Sequence, residues 1–340
     1  MALIKKIIGK IILRPVWFFK KRKEAGRVID CFYDKKFKRK QRNLIIKDMI
    51  WMKEKYSFEY KEYCYLCFEK LTIEQRLKFV SDWERFLYAG RMNQDDNQKI
   101  FDDKTITYEY FKKYFKREQC EIKNESDFEV FADFCKKHSK FIIKPNNSAM
   151  GRGVELMTVE EIENDFKKAL KRHQNGFVAE ELIVQSKEMA KFHPQSCNTV
   201  RIPTIRFDDR IEIIHPFFRV GRGDSVVDNA GAGGIIVALD AETGITIAAA
   251  DEKGKEYIVH PETGYDLIGY QIPRWNEAVE LVKELAQVVP TNRYTGWDVA
   301  LTDDGWVMVE GNARGQFVWQ IATKVGFKEE IERIMKELNL

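Results

Sequence analysis

The chain has 340 residues, enough to bury a large core in one large or two coupled domains. Its 44% apolar and 32% charged residues are the balance of a soluble globular protein. Six cysteines do not make a disulfide scaffold and point to a reducing compartment.

The net charge of +4 gathers at one end. Residues 1–23, MALIKKIIGKIILRPVWFFKKRK, contain Lys5, Lys6, Lys10, Arg14, Lys20, Lys21, Arg22 and Lys23 and no acid, so the remainder is net acidic. That distribution argues against nucleic acid as a partner. Leu3, Ile4, Ile7, Ile8, Ile11 and Ile12 recur at helical spacing opposite the lysines. No uncharged run approaches the roughly 18–20 residues that span a bilayer, and lysine interrupts any signal-peptide core. Two readings stand: an interfacial helix on an anionic membrane surface, or a helix packed on its own domain with a solvated basic face.

Residues 24–95 read as a helical, aromatic region, a scaffold or partner surface. Thr72 and Gln75 form a capping box there, and Gly90 is expected to end the next helix. Cys64 and Cys67 make a lone C-x-x-C with no second pair, which favours helix positions over a metal site. Residues 96–340 form the third unit. Capping boxes at Ser126 with Glu129 and at Thr158 with Glu161 are expected to open two helices, with Phe128, Phe131 and Phe134 on one and Ile162, Phe166 and Leu170 on the other.

From about residue 140 strands intervene: KFIIKP, GFVAEELIV, NTVRIPTIRF, IEIIHPFFRV and GGIIVALD. A helix over 275–289 precedes GWDVALT and GWVMVEGN, which flank DDG. Strands and helices mixed without strict alternation indicate an α+β fold. Asp303-Asp304-Gly305 predicts a three-residue hairpin loop with Gly305 in the left-handed position. Thr302 then pairs with Trp306, Asp298 faces Glu310, and Asn312 shares Glu310's face. Two facing carboxylates repel unless something positive lies between them. Oxygen donors suit Mg²⁺ or Mn²⁺ better than zinc, and magnesium takes further ligands from water and phosphate. Solvated acids on an exposed hairpin are the alternative.

A phosphate site is legible in FIIKPNNSAMGRGVEL. Lys144 ends a strand, a loop of small and flexible residues follows over 146–153, and VELM resumes the strand. Main-chain N–H groups of such a loop can approach phosphate oxygens, and Lys144 adds a point charge. The stretch is neither a Walker A loop nor a Rossmann fingerprint, and the protein-kinase motifs do not occur. A tight β-hairpin explains the loop equally well.

In chain order the sequence carries DKTITYEYF (103–111), FIIKP (141–145), HPQSCNTVRI (193–202), HPFFRVGRG with DNAGAGGI (215–235), GWDVALT and VEGN. With this set it resembles the ATP-grasp superfamily, and within it the sugar-transfer-associated ATP-grasp family related to hexapeptide transferases and α-L-glutamate ligases. The resemblance covers roughly 100–325. It implies an ATP-grasp fold, two α+β lobes sandwiching ATP, preceded by the helical N-terminal region. Lys104 and Lys144 then contact phosphate, and residues 147–153 form a flexible lid that includes Asn147, Ser148, Gly151 and Gly153. Glu180, Glu181 and Ile183 meet adenine, and Glu188 reaches the ribose. Asp298, Glu310 and Asn312 hold Mg²⁺ (or Mn²⁺). Arg201 and Arg219 stand on strands of the second lobe, where a guanidinium fork suits phosphoryl or carboxylate oxygens. Asn229 belongs to a second small loop near the acceptor, and Arg314 is a candidate substrate contact. His193 and His215 each precede a proline, with structural hydrogen bonding set against proton acceptance.

The chemistry implied is ATP- and Mg²⁺-dependent carboxylate–amine ligation through an acylphosphate. The expected substrates are small-molecule or sugar-linked carboxylates and amines, on a cell-surface polysaccharide or its sugar- or lipid-linked precursor. The setting expected is the cytoplasm, peripheral on the inner membrane face through residues 1–23, with a glycosyltransferase or acyltransferase as partner and no nucleic acid. Two rivals share the fold: a sugar or polyol kinase, and a non-catalytic ATP-binding module that recruits a glycosyltransferase.

Overall fold

The computed structural model describes residues 14–33, 36–93, 97–146, 153–224 and 233–340. The amphipathic segment expected over 1–23 therefore lies outside the described residues as far as residue 13. Two antiparallel sheets organise the rest. The smaller has the order β1 (Gln119–Ile122), β4 (Phe177–Glu181), β2 (Lys140–Pro145), β3 (Glu155–Thr158). The larger has the order β11 (Gly305–Asn312), β10 (Tyr294–Thr302), β5 (Thr199–Arg206), β7 (Phe217–Val220), β8 (Ile235–Leu239), β9 (Thr246–Asp251), with β6 (Ile211–Ile213) paired to β5.

Each sheet has one apolar and one functional face, because successive side chains alternate. In the small sheet Phe141, Ile143, Phe177 and Ala179 are buried against the helices Phe128–Lys137 and Ile162–Arg172. Ile142, Lys144 and Glu180 point the other way, into a cleft. In the large sheet Val200, Ile202, Phe218, Val237, Trp297 and Val299 pack with the helix Trp275–Val288 and with Phe111 and Phe115 of the helix Lys104–Phe115. Their neighbours Thr199, Arg201, Phe217 and Arg219 face the same cleft.

The helical N-terminal region covers the remainder of that second face. Ala25, Ile29, Met49 and Phe58 share one core with Phe217, Ile236, Ala238 and Ala250. The helix Arg14–Phe32, the first among the described residues, runs through position 23, where the sequence suggested a boundary. No helix among the described residues is long and apolar enough to cross a membrane.

Several local expectations need correcting. The β10–β11 turn is Asp303-Asp304 alone, pairing Thr302 with Gly305 and Leu301 with Trp306. A β-bulge between Asp298 and Val299 then absorbs one residue and restores the Asp298–Glu310 pair. Gly90 lies inside the helix Asp82–Met92, which is opened by a Ser81/Glu84 capping box. Asn124 and Asp127 form the capping box at the turn Glu125–Asp127, ahead of the helix Phe128–Lys137, in place of Ser126 and Glu129. At Thr158, Asp165 instead reaches back to the Glu160 and Glu161 N–H groups at 2.9 and 3.0 Å. The Thr72/Gln75 box is present. All six cysteines are free, and among the described residues no group of three metal-ligating His, Cys, Asp or Glu side chains occurs.

Candidate active site

The two sheets face each other across a cleft of about 1080 Å³. From the small sheet, Lys144 enters it, and its ammonium donates to Glu180 at 2.7 Å. Lys104, the first residue of its helix, donates to the Pro145 carbonyl at 3.0 Å and the Asn146 carbonyl at 3.3 Å. Burial and the adjacent Lys144 charge push Lys104 below the ordinary lysine range. Two like charges held this close favour an anion between them. Of the lid expectations, Asn147, Ser148 and Gly151 lie outside the described residues. Gly153 is described, with φ +71 and the space for a Cβ taken by Pro145.

The large sheet contributes a row of charges set by strand register. Glu310 on β11 pairs with Asp298 on β10, Asp298 with Arg201 on β5, and Arg201 with Phe217 on β7. Two residues along, Thr199 pairs with Arg219. The Asp298 carboxylate is fully buried and accepts from Arg201 Nε at 2.5 Å and Nη2 at 2.6 Å, with Arg219 Nη2 at 2.8 Å. Burial pushes Asp298 up, but Arg201 and Arg219 overcome it and hold the group at about 2. Glu310 behaves oppositely. Partial desolvation at the cleft wall, with the side chain still 52% exposed, and then the Asp298 charge push it up, and Asn312 donates to it at 3.2 Å. A carboxylate held in that state gains from an added cation. Glu310 and Asn312 line the cleft with hard oxygen donors, so the residues present fit Mg²⁺. Asp298 is held by Arg201 and Arg219 and does not line the cleft as Glu310 and Asn312 do.

The strip joining the lobes also departs from expectation in detail. The Glu180 carboxylate is taken by Arg117 Nε at 2.9 Å and by Lys144, so it is not turned toward a base. Burial would raise Glu180, yet Arg117 and Lys144 hold it at about 2. The Glu181 carboxylate accepts from the Glu118 N–H at 2.9 Å. Ile183 lines the cleft together with Ile142, Val154 and Leu156, an apolar part of its wall. Among the described residues the main chain at 182–184 makes no turn or loop hydrogen bond, which leaves its polar groups for a ligand edge. Glu188 is exposed on the short helix Lys187–Ala190. It does not line the cleft; Gln185 does.

Arg117 was not singled out from sequence. It is buried, and beyond Glu180 it donates to the Met308 carbonyl at 2.5 Å and the Phe115 carbonyl at 3.1 Å, tying β4 to β11. Its only local signal is an arginine just before a strand. Both proline-preceding histidines are structural. His193 bonds Ser196 Oγ and the Gly223 carbonyl, each at 2.8 Å. His215 meets Glu330 at 2.9 Å and lies against Phe327. Arg314 lines the cleft with its guanidinium 4.6 Å from the centre of the Phe86 ring. Asn229 lies outside the described residues.

A small antiparallel sheet with cleft-facing lysines, closed over a larger sheet that carries an acid pair and arginines, is the architecture of the ATP-grasp proteins. The profile described as sugar-transfer associated ATP-grasp matches residues 84–336. The chain belongs to that family, and ATP and Mg²⁺ are its cofactors. No curated protein matches its sequence. Similar solved structures include the ATP-grasp ligase PsnB complexed with a minimal precursor, at 15% identity and TM-score 0.46, covering 72% of this chain and 63% of that one. Others are an L-amino acid ligase from Bacillus licheniformis (13%, TM-score 0.42, 69% and 47% covered) and D-alanyl-alanine synthetase A from Vibrio cholerae O1 biovar eltor str. N16961 (10%, TM-score 0.43, 71% and 64%). The chain thus spans less than two thirds of the length of each of these three proteins.

Proposed function

We propose that the chain is an ATP- and Mg²⁺-dependent carboxylate–amine ligase that works through an acylphosphate and modifies a cell-surface polysaccharide or its sugar- or lipid-linked precursor. The observation that carries this reading is the charge pattern across the cleft, with Lys144 on one side, near Lys104, and Glu310, Asn312, Arg201 and Arg219 on the other. Glu310 and Asn312 would hold Mg²⁺, which would supply charge neutralisation at the ATP phosphates. Lys144 and Lys104 bind phosphate oxygens, and the apolar wall at Ile142 and Ile183 excludes water from the base. Arg201 and Arg219, fixed by Asp298, orient a substrate carboxylate and stabilise the oxyanion formed when it reacts. Residues 147–153 close over the nucleotide and protect the acylphosphate from hydrolysis. The basic, apolar residues 1–23 support attachment to an anionic membrane surface, and co-sedimentation with anionic vesicles tests that part.

The test of the chemistry is ADP release with Mg²⁺ and hydroxylamine across a panel of uronic acids, amino acids and nucleotide sugars. A hydroxamate that forms with one carboxylate and disappears in Glu310→Ala is expected. ADP release without hydroxamate, with the γ-phosphate found on a hydroxyl, would replace the ligase with a kinase.

A further inference from the structure

The cleft continues past the arginines to a wall that lies partly outside the matched residues 84–336. That wall is built by the N-terminal helical region and the turn after β9, both of which line the same cavity through Phe32, Tyr65 and Glu252. Register places this turn on the functional face. Arg219 pairs with Ile236, Ile236 pairs with Ala250, and Glu252 follows Ala250 by two residues. Two strand spacings and two residues of rise put the Glu252 and Arg219 main chains roughly 12 Å apart. Side chains reaching inward from both leave room for a small substrate between them.

The turn is held firmly. Asp251 accepts from the Lys253 N–H at 2.9 Å, the Lys255 N–H at 3.0 Å and the Tyr257 hydroxyl at 3.1 Å. Lys324, which caps the helix Trp319–Thr323, donates to three carbonyls, Tyr65 at 2.7 Å, Ile321 at 2.8 Å and Gly254 at 3.1 Å, so it staples the turn to the N-terminal region and to that helix. Arg222, the nearest guanidinium, is committed to the Tyr257 hydroxyl at 2.6 Å and lies 3.8 Å from Asp251. Glu252 is left over. Its Oε2 is buried and has no hydrogen-bond partner among the described residues, and Glu252 lines the cavity, whose wall on the side of the N-terminal region also carries Lys61, Glu62, Asp82 and Arg85. A buried carboxylate oxygen without a donor is costly, and a ligand donor that reaches it removes that cost.

We propose that Glu252 is the binding group for the amine substrate, receiving a primary ammonium at the end of the cleft opposite ATP. The assignment rests on the ligase reading and deepens it. The amine nitrogen faces Arg219 from Glu252, so the acylphosphate carbon lies between them. Glu252 takes one proton from the ammonium. The nitrogen attacks the acyl carbon, a C–N bond forms, and the C–O bond to phosphate breaks with its electron pair leaving on phosphate. The second nitrogen proton leaves with inorganic phosphate. Burial and the adjacent Asp251 charge raise Glu252 above the ordinary glutamate range, which suits a group that accepts a proton.

Saturation-transfer NMR on the full chain with ethanolamine, glucosamine and 1,3-diaminopropane tests this, with their N-acetyl forms as controls. The wild type is expected to bind at least one free amine and none of the acetylated forms. Glu252→Gln is expected to weaken that binding at least tenfold while its melting temperature and its affinity for a non-hydrolysable ATP analogue stay unchanged. Equal binding by the variant, or no binding of any amine to the wild type, would overturn the assignment. Hydroxamate formation together with either of those results removes the amine site and leaves the ligase standing. Amine binding lost in Glu252→Gln without any hydroxamate keeps the site and removes the ligase.

Discussion

Replacing Arg117 by methionine tests whether this one side chain locks the lobes and sets the charge of the phosphate lysine's partner. The substitution keeps the apolar stem and removes every donor to Glu180, Met308 and Phe115. Breaking a buried ion pair from one side costs about 3–5 kcal/mol. Lys144 remains on Glu180, so the low end applies, about 3 kcal/mol. The depression of Glu180 from 4.5 to about 2 gives a ceiling of similar size, roughly 3 kcal/mol shared between Arg117 and Lys144. For a chain of this length the unfolding entropy is about 0.7 kcal/mol/K, so the melting temperature should fall by roughly 4 °C. The pH dependence has a definite sign. A carboxylate with a depressed folded pKa stabilises above its unfolded value and loses that contribution as pH falls through the folded one. The gap between wild type and variant should therefore be widest above about pH 4.5 and narrow toward pH 2. Calorimetric melting at pH 7 and at pH 4 measures both. A variant melting within 1 °C of wild type at pH 7, roughly a quarter of the expected shift, would refute the assignment of Arg117 as the lock.

Glu310→Gln removes one cleft-facing carboxylate at nearly constant shape; turnover should drop at least 100-fold while the fold melts unchanged, and a steady-state ADP assay with a parallel melt checks it. Lys324→Met leaves the carbonyls of Tyr65, Ile321 and Gly254 without their donor; a loss of about 2–3 kcal/mol in urea unfolding is expected. Gly254→Ala forces φ +77 on a residue whose Cβ would collide with the Tyr65 carbonyl; destabilisation above about 1 kcal/mol, with weakened amine binding by the NMR assay, is expected.

The Asp298–Glu310 pair was legible because strand alternation survives small errors. The turn was read one residue too long, and the bulge at Val299 happened to restore the register. Lys144 and the strand KFIIKP were legible for a related reason, since alternation within six residues separates core Phe141 and Ile143 from cleft Ile142 and Lys144. What escaped was pairing at a distance. Glu180 meets Lys144 across 36 residues and Arg117 across 63. Asp298 meets Arg201 across 97. No local pattern encodes those partners, so the ion pairs of Glu180 and Asp298 could not be read from the sequence. Glu188, beyond the end of the strand at Glu181, lies exposed on a short helix.

A crystal structure of the full chain with Mg²⁺ and a non-hydrolysable ATP analogue bears most directly on the site. The phosphates should contact Lys144 and Lys104, the base should lie against Ile142 and Ile183, and the metal should take oxygens from Glu310 and Asn312 while Asp298 keeps Arg201. A nucleotide bound elsewhere, or a metal held without Glu310, would contradict the arrangement on which the ligase reading depends.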